Sequence, residues 1–183
     1  MPTTSAASTT TRILREYKQI RSALNSNLHP TILSLEPDSP EDLSNWTAFL
    51  KPTSAAAAPY TNHTFKLRLT LPPDYPHTPP QVHFAPRTLP HVNVDFETGA
   101  VCLDILKSEA DAGAWRPVYT LLYVCESTVR LLEEPNAESP LNLELGTLLR
   151  QGDVSAYLGL INYYLVECAG DSGRKGEKSR LRN

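Results

Sequence analysis

Hydrophobic and polar positions fall into three regimes along the chain. From about Ser5 to Leu28, Ile13, Tyr17, Ile20, Leu24 and Leu28 recur every three or four residues, while Arg12, Arg15, Lys18 and Arg21 fall elsewhere, which predicts an amphipathic first helix. The middle of the chain alternates instead. Phe65, Leu67, Leu69 and Leu71 are separated by Lys66, Arg68 and Thr70, the period of two of a strand with one wet face. Trp46, Ala48 and Leu50 repeat that pattern more weakly, as do Val82 and Phe84. Twelve of the sixteen prolines lie between Pro30 and Pro90, which excludes long helices there, and the alanine run Ala55–Ala58, set between prolines, reads as loop. No proline follows Pro140, so helices are expected to dominate the end of the chain. Val118, Leu121, Leu122, Cys125, Val129 and Leu132 form one apolar stripe; Val154, Tyr157, Ile161, Leu165 and Cys168 form another. Helix, strands, then helices make an α+β domain with no internal repeat.

Composition narrows the class. The 183 residues suffice for one domain with a real core. A net charge of −3 argues against a nucleic-acid binder, which would carry a basic surplus. Three cysteines without C-x-x-C spacing favour a reducing compartment, and no histidine lies in a ligand arrangement with cysteine, so no metal site is expected. No run of 18 apolar residues exists and the first ten residues lack an apolar core, so neither a membrane span nor a secretory signal is expected. The segment from Gly170, with Arg174, Lys175, Lys178, Arg180 and Arg182, reads as a disordered basic tail, residues 170–183, beyond a single domain of residues 1–169. It closes on L-R-N rather than an S-K-L address.

The stretch H-V-N-V-D-F-E-T-G-A-V-C-L-D-I-L, His91 to Leu106, concentrates the candidate chemistry. Cys102 follows a Thr98-Gly99 turn signal, and His91 and Asn93 stand just upstream. A lone intracellular cysteine is most often a small buried hydrophobe. A thiol on a loop set off by glycine and approached through L-P-P-D-Y-P-H-T-P-P is instead placed for chemistry. Cys125 and Cys168 fall on apolar stripes, which leaves Cys102 as the candidate nucleophile. His91 and Asn93 are expected to order the loop by hydrogen bonds, with the Asn93 amide also free to point at the thiol. Ser139 before Pro140 reads as a helix N-cap.

These motifs, in order, resemble the active-site region of the ubiquitin-conjugating enzymes, the E2 family. The matching residues are Tyr75-Pro76-His77-Thr78-Pro79-Pro80, His91-Val92-Asn93, Gly99 to Leu106 with Cys102, Trp115-Arg116-Pro117, and Pro135-Asn136 to Pro140-Leu141. The resemblance covers roughly Arg12 to Cys168. Val92 where the family has proline, and an Asn-to-Cys spacing one residue longer, resemble the peroxisomal branch, as does Ser155 to Glu167. The segment S-E-A-D-A-G-A lengthens the Cys-to-Trp connection.

The resemblance implies a UBC fold: an N-terminal helix, a four-stranded antiparallel meander, a catalytic loop and C-terminal helices. It implies that Cys102 takes ubiquitin as a thioester from an activating enzyme (E1), which uses ATP, and passes it to a lysine or cysteine, with no bound cofactor. In the peroxisomal branch the acceptors are import receptors, and the enzyme works at the cytosolic face of the peroxisome, held by a membrane-anchored partner rather than inserted itself. A side-chain amide such as that of Asn93 would then donate to the tetrahedral oxyanion, one such donor being worth about 3–4 kcal/mol; bracing the loop is the alternative role. Ser139 would border the acceptor channel. His77, Arg116, Pro117 and Val118 fall where the family docks RING-type ligases, and His77 stands where a large apolar residue is common. Arg12 lies on the helix that meets the activating enzyme and ligases; a merely solvated face is the other reading. Tyr163, off the apolar stripe of the last helix, is the candidate anchor contact, whereas Tyr157 and Tyr164 are expected to pack the core. The alternatives are an enzyme for another modifier or pathway, a catalytically silent binding module of this fold and, last among them, a cysteine hydrolase.

Overall fold

The structure is a computed structural model that describes residues 4–107 and 114–180, with side chains from 9 to 167. The alternating middle of the chain forms a four-stranded antiparallel meander of β1 (Ile32–Pro37), β2 (Asn45–Leu50), β3 (Phe65–Thr70) and β4 (Gln81–Phe84), in that order across the sheet. Register puts Trp46 opposite Leu69 and Leu69 opposite Val82, with Ala48 opposite Leu67 and Leu67 opposite Phe84. The apolar set therefore lines one face continuously, and all of these side chains are buried. Thr70, Arg68 and His83 point to the other face and are exposed.

The first strand escapes the period-two pattern for a visible reason. Its register shifts between Ile32 and Ser34, so Ile32 and Leu35, three apart, both reach the core while Leu33 is exposed. Ala55–Ala57, expected as loop, closes one 3-10 turn capped by the Ser54 hydroxyl.

Two helices cover the apolar face. Helix α1 (Thr4–Asn25) packs on β1, burying Ile13 and Ile20, and α2 (Leu121–Glu133) packs on β1 and β2. The first helix ends sooner than its stripe predicts, because Asn27 takes a left-handed φ of 51°. The chain turns there, and Leu28 is exposed rather than buried. Thr120 caps α2 by accepting from the Tyr123 N–H at 3.2 Å. That cap leaves Val118 before the helix and 73% exposed, which removes it from the apolar stripe. Helix α3 (Leu143–Gln151) starts at Asn142, whose side chain accepts from the Leu145 N–H, and stops at Gly152 with φ 71°. Asn142, not Ser139, is therefore the cap.

Helix α4 (Val154–Arg180) buries Tyr157, Ile161 and Leu165, while Val154, in its first turn, is exposed. Its backbone is helical across residues 170–180, where composition alone predicts a disordered tail. No proline interrupts it, and an existing helix gains a hydrogen bond with each residue added. The side chains of Cys168, Arg174, Lys175, Lys178 and Arg180, the whole of Arg182, and most of the lengthened connection at residues 108–114 lie outside the described residues. Among the described residues no helix is long and apolar enough to cross a membrane, and no cluster of His, Cys, Asp or Glu could hold a metal.

Candidate active site

The loop bearing Cys102 is fastened to the sheet by one glycine. Gly99 has φ 78°, and a Cβ placed there would come within 2.0 Å of the Phe84 carbonyl oxygen. Only glycine permits that approach, in which the Phe84 N–H donates to the Gly99 carbonyl at 2.8 Å. A short bridge, Val94 to Val101, continues the pairing, and the Cys102 N–H donates to the Asn93 carbonyl at 2.8 Å. The thiol thus emerges at the end of a braced hairpin, followed by the 3-10 turn Asp104–Leu106.

Cys102 is partly exposed and lines a groove of about 330 Å³. On one side stand Asn93, Asp104 and Ile105 of the loop bearing Cys102; on the other stand Tyr123, Ser127 and Arg130 of α2, with Glu134 and Asn136 just beyond its end. Among the described residues no side chain hydrogen-bonds to the thiol. Lys107 pairs with Asp104 at 2.6 Å, and that hydrogen bond, more than anything else nearby, raises the pKa of its ammonium group. Cys125, by contrast, is fully buried, and burial first, then the charge of Glu126, pushes its thiol pKa far up. It is chemically silent.

Asn93 and His91 order the loop as their positions predict, but the Asn93 amide is not free to reach the thiol. Its Nδ2 donates to the carbonyls of Asn136 at 2.7 Å and Ser139 at 3.1 Å, and its Oδ1 accepts from the Asn136 N–H at 2.8 Å. Both amide protons are committed to bracing the segment after α2. His91 is fully buried and accepts the Asn93 N–H on Nδ1 at 3.1 Å. Burial lowers its pKa to about 4; a backbone interaction with Leu131 opposes this only in part, and Nε2 has no hydrogen-bond partner of good geometry. The ring is neutral, away from the groove, and no base for the thiol. Ser139 is exposed and contributes its carbonyl, not its hydroxyl, to the Asn93 network.

The candidate docking residues converge on one corner. The Trp115 indole N–H donates to the Pro76 carbonyl at 2.9 Å, which sets the Arg116-Pro117-Val118 turn beside the loop bearing His77. All four of these residues are exposed. Arg12 behaves differently from the sequence expectation. Its guanidinium turns inward, donating through Nε to Glu16 at 2.5 Å and through NH2 to the Tyr119 carbonyl at 3.0 Å. At the far end, Tyr163 is exposed, Tyr157 is buried, and half-buried Tyr164 packs on Phe96 of the catalytic hairpin with ring centroids 5.0 Å apart.

Two sets of residues escaped the sequence reading. Glu16 is a carboxylate only 2% exposed, and its signal was a charge placed among the apolar positions of α1, between Ile13 and Ile20. Tyr123, Ser127, Arg130 and Glu134 recur every three or four residues opposite the buried stripe of α2, so a second helical face could have been read for the groove.

A helix–meander–helix core presenting an accessible thiol on a hairpin braced by asparagine is the construction of a ubiquitin-conjugating enzyme. The family model described as "Ubiquitin-conjugating enzyme" matches residues 12–161, and the chain belongs to this family and is an E2 enzyme, with ubiquitin as co-substrate. It is similar to "Ubiquitin-conjugating enzyme E2-21 kDa" of Saccharomyces cerevisiae, 39% identical over 162 residues that cover 85% of each chain. It is also similar to "Ubiquitin-conjugating enzyme E2 pex4" of Dictyostelium discoideum, 37% identical over 84% of this chain and 94% of that one. Among solved structures, H. polymorpha Pex4p, crystallised in complex with the soluble domain of Pex22p, superposes with a TM-score of 0.78 at 30% identity, covering 87% of this chain and 97% of that one. The UBC fold and the kinship to peroxin-4 enzymes expected from the motifs are thereby established.

Proposed function

We propose that Cys102 accepts ubiquitin as a thioester from an activating enzyme that uses ATP, and passes it to a lysine or cysteine of peroxisomal import receptors. The observation that carries this reading is the contrast between its two described thiols: Cys102 opens on a groove, and Cys125 is sealed in the core. Loading exchanges one thioester for another, which is close to isoenergetic and needs little acid–base assistance, and among the described residues no side chain hydrogen-bonds to the Cys102 thiol. Transfer to a lysine instead forms the more stable amide and releases the thiol. Asn93 braces the loop, and donation to an oxyanion would require it to release the Asn136 or Ser139 carbonyl. Ser139 borders the channel by which the acceptor enters. A RING-type ligase meets His77, Arg116, Pro117 and Val118, with Arg12 holding that corner from behind.

The enzyme works peripherally at the cytosolic face of the peroxisome, held by a membrane-anchored partner that contacts Tyr163. The crystallised pairing of the related Pex4p with a soluble domain of another protein supports such a partner. Residues 1–169 form the catalytic domain and residues 170–183 a basic appendage to it. Loading with activating enzyme, ATP and ubiquitin, followed by non-reducing electrophoresis, tests the central claim. Wild type gains one thiol-sensitive ubiquitin, Cys102→Ser gains a thiol-resistant one, and Cys125→Ser loads as wild type. Loading of Cys102→Ala would overturn the assignment.

A further inference from the structure

A carboxylate is buried in this fold away from the thiol: Glu16 is 2% exposed. Glu16 lies where three segments distant in sequence meet, and its two oxygens accept three hydrogen bonds. Oε1 takes Arg12 Nε at 2.5 Å and the Tyr75 hydroxyl at 2.8 Å; Oε2 takes the backbone N–H of Leu121, the first residue of α2, at 2.8 Å. Each donor comes from a different place: α1 itself, the proline-rich loop, and the start of α2. Burying a carboxylate is costly unless its oxygens are satisfied, and here they are. The helix terminus adds to this, since a negative charge is favoured beside the first amides of α2.

What these segments carry gives the hub its consequence. Tyr75 begins the loop bearing His77, and its carbonyl accepts the Thr9 hydroxyl of α1 at 3.0 Å. Trp115 joins the next residue, Pro76, to the Arg116–Val118 turn, and Arg12 reaches over to the Tyr119 carbonyl. Glu16 and its donors tie these segments together from beneath.

We propose that Glu16 is a positioning residue, whose carboxylate sets the relative placement of α1, the His77 loop and the Arg116–Val118 turn that the activating enzyme and ligases must meet together. The inference rests on the docking face assigned above. A glutamine at this position keeps the shape and one oxygen acceptor but turns an NH2 toward a donor, so one of the three segments comes loose. The chemistry at Cys102 stays intact, because Glu16 contributes nothing to the groove.

The test uses the full chain, purified activating enzyme, ATP and ubiquitin. Initial loading rates over a range of enzyme concentrations give KM and kcat, and the preformed thioester is discharged onto hydroxylamine without any ligase. For Glu16→Gln, KM for loading rises about tenfold, the loss expected of a hydrogen bond to a charged group, with kcat and hydroxylamine discharge unchanged. Tyr75→Phe, which removes a single donor and keeps the ring packing, shifts KM in the same direction by less, and it decides the matter if Glu16→Gln melts below the assay temperature. An Arg116→Glu, Val118→Asp double variant reports on the face itself. If it raises KM while Glu16→Gln, folded, does not, the positioning role fails and the docking face stands. If it leaves KM unchanged, the docking face fails and the inference falls with it. A parallel fall of loading and hydroxylamine discharge in Glu16→Gln would also overturn the proposal.

Discussion

The groove at Cys102 and the hub at Glu16 use polar groups in opposite ways. At the groove no side chain among the described residues hydrogen-bonds to the candidate nucleophile, and the polar side chains that order its loop are committed to backbone: Asn93 to Asn136 and Ser139, His91 to Asn93. At the hub one carboxylate gathers an arginine, a tyrosine and a helix amide in a region with almost no solvent. The contrast teaches where this enzyme needs precision. Thioester exchange requires an accessible thiol held still, so the groove needs rigid backbone and little catalytic apparatus. Meeting large protein partners requires several loops held in register, which is the part the hub plays if the proposed docking face is right.

The largest effect expected within this comparison is on His91. Folded, it takes a proton only near pH 4, whereas exposed in the unfolded chain it does so near 6.5. Between those values the unfolded state binds more protons, so stability is fully present above about pH 6.5 and falls as the pH drops toward 4, by about 3 kcal/mol in all. Denaturant unfolding of wild type and His91→Gln between pH 7 and pH 4 should show the variant lacking that component. Hydroxylamine discharge at pH 7 should be the same in the folded fraction of both. A discharge rate that follows the His91 titration would break the comparison, since the groove would then contain a base.

A smaller effect is expected from Asn93→Ala. It removes three hydrogen bonds, but Asn136 and Ser139 are exposed and water can replace part of the loss, so about 2 kcal/mol is expected rather than the sum of three bonds. Transfer to a free amine should slow more than loading does. If transfer slows at unchanged thermal stability, bracing is not the role of Asn93, and a donor to the oxyanion must be restored to the groove. The smallest effect on the fold belongs to Tyr163→Ala, which should alter stability by less than about 0.5 kcal/mol because the ring is exposed. Cell fractionation should nonetheless show less of this variant sedimenting with peroxisomes. A wholly soluble wild type would remove the peroxisomal placement and leave both the groove and the hub untouched.

Much of the site was legible because its signals are local. Gly99 announces a turn that excludes a side chain, Cys102 follows it at fixed spacing, and the apolar stripes of α2 and α4 mark Cys125 and Tyr157 as core. Period-two alternation located β2, β3 and β4 for the same reason, since one face is dry and the other wet. The first strand was hidden by its bulge, which breaks the alternation, and Val118 and Leu28 sat on helical stripes that extend beyond the helices themselves.

By itself, then, the sequence determined the order of helices and strands, the family, and which of the two described thiols lies in the core, because periodicity, turn chemistry and motif spacing are properties of neighbouring residues. Tertiary structure alone decided what the polar side chains do. Arg12 faces solvent or Glu16 depending on where Tyr119 lies, 107 residues away. Asn93 is a free amide or a brace depending on the placement of Asn136 and Ser139, more than 40 residues on. A hydrogen bond acts over about 3 Å and carries no periodic trace in the chain, so its partner becomes known only when the fold closes the distance.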